Sequence, residues 1–470
     1  MASEQTQEVS GTTPEQKSPE QKAPEQKAPE PKTQAPKAQS PKGPANAAGH
    51  RQIWMAVGVW TLRVLLGAVF VYSGFVKAID PWGGLFKMEE YTAAMGLDLP
   101  RAIVLIGASL LSVFEFCLGV MTLTGSFRRL TPVLVCSFMA VMLPLTVWIY
   151  FADPVSDCGC FGDALVLSNG ATLLKNIVLT AMAAGLLLVN RRQPPLFYPS
   201  LQIWVVVWSG LYTGSLVMAG FNSQPLIDFR PYKAGTALEA PEMPKPRFVY
   251  AKDGVSRSFS ADSLPEDDEW EFVERVEPKA VEKPGTLAVF DSDGEDATAE
   301  LYEKAAGNLL ILNVPEPVRH SISRSIQANM LFDYMLEHDG EMVALVATTH
   351  PDEWAEAVRA RYPVYTAEDT DLKELARGEA SLIYVSGDTI RWKTALTAVS
   401  PEALSALPDD DRRPLDRVLG VENPKGELYL LTAIYLTLMA LTLALSLFYD
   451  KAVLHRKAQS RKNKTPNGNE

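Results

Sequence analysis

The sequence predicts a membrane all-α helical bundle of about six transmembrane helices joined to an extracytoplasmic α/β domain. Three observations carry this expectation. The apolar residues, 47% of a 470-residue chain with a net charge of -12, gather in six long runs instead of spreading evenly. Lys and Arg collect at alternate ends of those runs. Between the fifth and sixth runs, an acidic segment from 221 to 427 alternates short strands with helices.

Residues 1–50 repeat a Pro-Glu-Gln-Lys unit, with Pro14, Pro19, Pro24 and Pro29 evenly spaced and almost no large apolar side chain. Such a segment cannot bury enough surface to offset its ordering entropy, so a disordered cytoplasmic tail is expected. It has no basic start followed by an apolar core, so it is not a signal peptide, and the first span is expected to act as an uncleaved signal-anchor.

A bilayer core of ~30 Å needs about 20 apolar residues in helix. The predicted spans are Trp54 to Val76, Ala102 to Thr124, Leu130 to Phe151, Ala171 to Val189, Ser200 to Gly220 and Leu428 to Tyr449. A buried helix of a soluble domain could mimic one such run but not six. Arg51, Arg128, Arg129, Arg191, Arg192 and the cluster Lys451, Arg456, Lys457, Arg461 and Lys462 all fall on one side of this arrangement. The positive-inside rule makes that side the cytoplasm. Lys77, Lys87 and Arg101 run against the bias, but Asp80, Glu89, Glu90 and Asp98 accompany them. The expectation is a multi-pass protein of the bacterial cytoplasmic membrane with both termini inside.

Six segments follow: the tail (1–50), a five-span bundle (51–220), a linker with a small β segment (221–284), the α/β domain (285–427), a last span (428–450) and a basic tail (451–470). The linker opens around Pro241, Pro244 and Pro246. Strand candidates Arg247 to Ala251 and Ser256 to Phe259 then flank a Lys252-Asp253-Gly254 turn, and another runs from Glu269 to Val276. In the α/β segment the strand candidates are Leu287 to Phe290, Leu309 to Val314 and Met342 to Ala347. Helices are expected over 297–306, 321–337, 354–361 and 372–376, and Ser381 to Val385 with Thr389 to Lys393 should form a hairpin about Gly387-Asp388. That order resembles a thioredoxin fold. No Cys-x-x-Cys follows its first strand and no proline precedes Ser381, so the domain is expected to be redox-silent, a binding or docking unit.

The chemistry concentrates in Asp157-Cys158-Gly159-Cys160-Phe161-Gly162-Asp163, which places two of only four cysteines one residue apart in a polar loop between spans. Facing an oxidising compartment, such thiols can form and break a disulfide or sit in a redox relay. A ring this small is hard to close, and Gly159 is the residue that best tolerates the backbone required. A strained disulfide is more readily reduced, which suits exchange. Asp157 and Asp163 should oppose thiolate formation and Lys77 should favour it. The structural readings are a permanent local crosslink or two inert thiols. A metal site is disfavoured, since zinc needs further ligands.

Arg63 and Glu115 form a second constellation. Charges inside spans are costly unless paired, and both lie nine residues from the assigned ends Trp54 and Thr124, about 13 Å deep at ~1.5 Å per residue. They are placed to pair. The simpler reading is a bridge locking the first span to the second; the functional one is a polar site for a quinone headgroup or for proton movement. Cys117 and Cys136 lie in the cytoplasmic halves of the second and third spans, read as inert packing residues in apolar surroundings. Small residues such as Gly67, Ser73, Gly74, Gly107 and Ala108 permit close helix packing and say nothing of activity. His320, His338 and His350 show no ligand spacing, and no phosphate loop, nucleophile elbow or basic nucleic-acid patch is present.

Two stretches carry a family resemblance. Leu62-Arg63-Val64-Leu65-Leu66-Gly67 through Tyr72-Ser73-Gly74-Phe75-Val76-Lys77 with Asp80-Pro81, and Cys158-Gly159-Cys160-Phe161-Gly162-Asp163, resemble DoxX-like membrane proteins of the methylamine-utilisation MauE type; Glu115 with Gly119 fits the same pattern. The resemblance implies a small bundle, similar in outline to vitamin K epoxide reductase-like and quinone-linked disulfide-forming membrane proteins, serving maturation of exported proteins. It marks Cys158 and Cys160 as redox-active candidates and Arg63, Lys77 and Glu115 as motif-matching polar positions. The long insert and sixth span lie outside the family core and resemble DoxX proteins with an appended thioredoxin-like domain. Two functions fit this pattern. One is a membrane thiol–disulfide oxidoreductase acting on exported thiol or disulfide proteins. The other is a non-enzymatic scaffold or assembly factor whose outer domain binds a partner. The lipid bilayer is a partner in both, nucleic acid in neither; the only cofactor weighed is a quinone.

Overall fold

A computed structural model describes residues 45–155, 157–238, 247–252, 255–260, 263–265, 270–276, 287–399, 415–419 and 424–462. The proline-rich tail before residue 45, Pro241, Pro244 and Pro246, and the Asp253-Gly254 turn lie outside these residues. Residues 1–52 and 53–470 form two units, and the architecture below is that of the second.

Among the described residues, six helices are long and apolar enough to cross a membrane, over 53–79, 101–124, 130–152, 169–192, 199–222 and 425–456. They belong to α1 (Ala45–Ile79), α3 (Arg101–Thr124), α4 (Leu130–Ala152), α5 (Asn169–Val189), α6 (Gln202–Asn222) and α11 (Pro424–Lys462). Large apolar side chains such as Ile103, Ile106 and Leu110 stay on the bundle surface, as lipid contact requires. The helix α2 (Pro81–Ala94) was not expected from the sequence. Its mean hydropathy is too low for a span, yet its start is well specified: Pro81 takes the first helical position and Asp80 caps it, accepting from the Gly83 N–H at 2.9 Å.

Helices α1 and α3 pack closely through glycines. A Cβ on Gly74 would lie 2.4 Å from the Phe116 backbone nitrogen, and one on Gly119 would lie 2.5 Å from that of Val71. This close approach fixes the register of the two helices. One buried cluster, including Leu66, Phe70, Leu118, Met139 and Leu186, joins α1 and α3 to α4 and α5. Another, including Ile79, Phe116, Leu216 and Tyr435, joins them to α6 and α11. Tyr212 of α6 stacks on Tyr435 of α11 at 4.5 Å between centroids.

Between α6 and α11 the chain forms two sheets. The smaller is antiparallel, in the order β2-β1-β3, from β1 (Arg247–Lys252), β2 (Val255–Ser260) and β3 (Glu271–Val276). The larger has the order β6-β5-β4-β7-β8, from β4 (Asn308–Val314), β5 (Glu341–Val346), β6 (Val364–Thr366), β7 (Ser381–Ser386) and β8 (Thr389–Ala395). Strands β4, β5 and β6 run parallel, whereas β7 pairs antiparallel with both β4 and β8. Helices α7 (Thr298–Ala305) and α10 (Asp369–Leu375) cover one face through Leu301, Leu372 and Leu375. On the other face Leu331 and Met335 of α8 (Ile322–Glu337) pack with Trp354 of α9 (Pro351–Val358). Burial on both faces explains why β4 and β5 read as unbroken apolar runs.

Three details of the α/β domain differ from expectation, one being that the helix expected over 372–376 is α10, which starts at Asp369 and ends at Leu375. Leu287 to Phe290 is not a strand: Phe290 makes isolated bridges to Asp296 and Thr366, and the third parallel strand is instead β6. The helix expected over 354–361 starts earlier, at Pro351, and stops at Val358 because Arg359 turns left-handed.

Candidate functional site: a dithiol chamber

A cavity of about 550 Å³ lies among α1 to α5, the loop after α4 and the C-terminal α/β domain. Its inner end is apolar, lined by Phe70, Phe138, Met139, Met142 and Leu179; its other end is lined by charged side chains. Cys158 and Cys160 stand on its wall as free thiols with their Sγ atoms 3.0 Å apart.

Local sequence builds that wall. Asp157 accepts the Gly159 N–H at 2.7 Å, closing a tight turn, and Gly159 takes φ +62°, where a Cβ would also collide with the Lys87 stem at 2.6 Å. Tyr91 of α2 donates its hydroxyl to the Cys158 carbonyl at 2.6 Å, and burial raises this phenol so that it keeps its proton. Tyr91, Ile149, Val155 and Cys158 form a small buried cluster under the turn.

The two thiols are unequal. Cys160 is lowered to about 6, first because the Cys158 S–H donates to its thiolate; burial works against this, Lys175 and Lys77 add to it, and Glu115 opposes. Cys158 is raised, as the partner that keeps its proton in that hydrogen bond and then by burial. The pair therefore holds its negative charge on Cys160. Lys175 sits near the start of α5 with its ammonium 4.3 Å above the Phe161 ring.

Below the loop, Lys77 donates to both oxygens of buried Glu115 at 2.9 Å, and the Ser73 hydroxyl lies 2.7 Å from both a Glu115 oxygen and the Cys160 carbonyl. Ser73 has one proton to donate, so it alternates between these acceptors and ties the loop to the Lys77–Glu115 pair.

The expected Arg63–Glu115 pair does not form. The glycine-set register puts Glu115 beside Ser73 and Gly74, whereas Arg63 lies ten residues earlier on α1, about 15 Å along the axis. Arg63 is fully buried. It donates to the Asn190 side chain at 2.8 Å and to the carbonyls of Pro194, Asn190 and Gln193 at 3.1 to 3.3 Å. A cation there suits the carboxyl end of α5. Gly125 leaves room for it, since a Cβ would come within 2.4 Å of the guanidinium. Arg63 thus holds the α5–α6 connection and does not line the cavity.

Asp157 and Asp163 each meet a cation. Lys87 bonds Asp157 at 3.1 Å, and Arg377 of the C-terminal domain bonds Asp163 as well as Asp80. Cys117 approaches the Val206 carbonyl of α6, and Cys136 packs in the Leu66–Phe70 cluster; neither lines the cavity. Sequence reasoning missed Tyr91, Lys175 and Arg377. Lys175 carried a usable signal, being an ionisable residue within an apolar span, the feature that singled out Arg63 and Glu115. The other two gave no local signal.

Among the described residues no group of His, Cys, Asp and Glu is placed to hold a metal ion.

Bundle and loop together define a multi-pass membrane helix protein with a paired-thiol site at one end. The family of methylamine utilisation protein MauE matches residues 55–189, which takes in the first four spans and the cysteine loop, and supports a MauE-type membrane protein. A domain family of unknown function, DUF8463, matches residues 245–283, around the small β2-β1-β3 sheet. No curated protein and no solved structure matches the chain.

Proposed function

We propose that the protein is a membrane thiol–disulfide oxidoreductase, in which Cys160 attacks and Cys158 resolves, serving maturation of exported proteins. The carrying observation is the 3.0 Å approach of two unequal thiols on the wall of a cavity with Lys77 and Lys175 beside them. The MauE match over the bundle is consistent with an accessory role in methylamine utilisation. The distribution of Arg128, Arg129, Arg191 and Arg192 supports an orientation with the cysteine loop and C-terminal domain outside the cytoplasm. The order β6-β5-β4-β7-β8 supports a thioredoxin-like reading of that domain, with no cysteine in it to act in exchange.

In the exchange step the Cys160 thiolate attacks one sulfur of a client disulfide. The client S–S bond breaks, its other sulfur leaves as a thiolate, and a Cys160–client disulfide forms. Cys158 gives its proton to the departing thiolate and attacks Cys160 Sγ. The Cys158–Cys160 disulfide forms and the second client sulfur is released, so two electrons pass to the client. Run in reverse, the oxidised pair takes two electrons and the client gains a disulfide. Pairing Glu115 with Lys77 supports the thiolate by keeping that ammonium beside the loop.

A quinone, the acceptor weighed from the sequence, fits the residues present in outline. Its ring and tail would meet Phe70, Phe138, Met139 and Met142, with the Lys77 ammonium on the polar side. Such a group accepts two electrons and two protons when bound.

Membranes carrying Cys158→Ser should accumulate a reductant-sensitive mixed disulfide through Cys160, whereas Cys160→Ser should accumulate none. A thiol-alkylation gel shift should show the wild-type pair in both redox states. A pair fixed in one state under all growth conditions, with both serine variants fully functional, overturns this reading and leaves the scaffold alternative.

A further inference from the structure

The C-terminal domain supplies one wall of the dithiol chamber. Thr370, Lys373 and Glu374 of α10, with Arg377 just beyond it, line the cavity together with the cysteine loop. Arg377 is 7% exposed and held by its backbone as well as its side chain. Its N–H donates to Gln224 Oε1 at 2.9 Å, and its carbonyl accepts from Gln224 Nε2 at 2.7 Å. The guanidinium donates to Asp80 at 3.0 Å, to Asp163 and to the Lys373 carbonyl at 2.8 Å. Asp80 caps α2, and Asp163 stands three residues after Cys160. One side chain therefore pins α2, the cysteine loop and α10 together.

A second ionic group continues this seam. Asp228, in the segment leaving α6, accepts from Arg230 at 2.8 Å and from Lys393 of β8 at 2.6 Å. Arg377, Arg230 and Lys393 thus face Asp80, Asp163 and Asp228, with their charges matched. Arg377, Arg230 and Lys393 are buried, so removing a carboxylate partner is costly and the network favours one docking geometry over a range of looser ones. The domain is also tied by chain at both ends, to α6 and to α11.

We propose that the C-terminal domain is a fixed roof over the dithiol, and that Arg377 determines substrate class: Cys160 receives a thiol or disulfide on an unfolded, extended stretch of polypeptide, not on a folded surface. This rests on the exchange reading above. A chamber of about 550 Å³ falls in the size range of small-molecule pockets, too small to take in a folded domain. An extended segment has the narrow section that such a chamber admits. Low-molecular-weight thiols share that chemistry, and the test separates the two.

The full chain, with Cys117→Ser and Cys136→Ser to remove background, is reduced in detergent and treated with three maleimides. One is N-ethylmaleimide, one is carried on an unstructured peptide, and one on a small folded protein. With Arg377 present, the first two should label Cys160 at comparable rates, and the folded probe should be slower by at least about tenfold, since it must wait for local opening. Arg377→Gln should erase that difference, Arg377→Lys should restore part of it, and Asp163→Asn should weaken it while leaving Asp80 paired. If Arg377→Gln fails to fold, Asp163→Asn decides the matter. A folded probe that labels the intact seam as fast as the peptide overturns the roof, as does an unchanged ratio in variants that elute as folded protein. Labelling by N-ethylmaleimide alone assigns the site to small thiols and overturns the polypeptide class. None of these readouts needs redox cycling, so failure of the exchange reading leaves a separate trace, in the serine variants described above.

Discussion

At the scale of single residues, the site's chemistry is a question of which sulfur carries the charge. Cys160 sits where a neighbouring S–H, Lys175 and Lys77 all favour its anion, while Cys158 is the buried donor. With Cys160 lowered to about 6, more of it is thiolate at pH 7 than the few per cent of an ordinary thiol. Reactivity is lost as pH falls through that value, because protonation removes the nucleophile. Iodoacetamide labelling of Cys160 should therefore rise with pH to a plateau with a midpoint near 6. Lys175→Met should move the midpoint upward by roughly one unit, and Lys175→Arg should return most of the shift. A midpoint near that of a free thiol in the unaltered protein would contradict the assignment. Sequence made the cysteines, Lys77 and Glu115 visible; it could not show that Asp157 and Asp163, expected to oppose the thiolate, each sit against a cation.

At the scale of elements, the glycine crossing of α1 and α3 sets everything beneath the loop. It brings Lys77 and Ser73 to Glu115 and keeps Arg63 away from it. A Cβ at Gly74 would strike the backbone of Phe116, which cannot yield as a flexible side chain would. Gly74→Ala should thus cost roughly 1–3 kcal/mol by overpacking, seen as a lower thermal midpoint in detergent. Gly84→Ala, where the space is open, should cost little and serves as the control. The six apolar runs were legible because lipid demands length and composition, both local properties. Helix α2 escaped notice because a short helix of mixed polarity resembles a loop until its cap and its packing against α3 are seen. The mispairing of Arg63 has a similar cause: depth counted from apolar boundaries ignores the register that side chains choose when two helices touch.

On the scale of the whole molecule, the cavity belongs to neither half alone. The bundle supplies the thiols and the C-terminal domain supplies Arg377, Lys373 and Glu374 across from them. If Asp163 and Arg377 act as a pair, a double-mutant cycle of Asp163→Asn with Arg377→Gln should give a coupling of roughly 0.5–3 kcal/mol in thermal or denaturant stability. Strictly additive losses would show that the two residues stabilise the protein independently.

Composition and periodicity by themselves determined the six apolar helices, the alternating strands and helices of the C-terminal domain, and the paired cysteines in a polar loop. Each of these is written in contiguous residues, through hydropathy, period or spacing. Only the tertiary structure decided that Lys77 rather than Arg63 meets Glu115, that Tyr91 holds the Cys158 carbonyl and Lys175 lies over Phe161 beside the thiols, and that Arg377, more than two hundred residues downstream of Cys160, helps close the chamber around them. Those contacts depend on helix register and domain docking, which arise from complementary shape and charge between distant segments and leave no mark on either segment read alone.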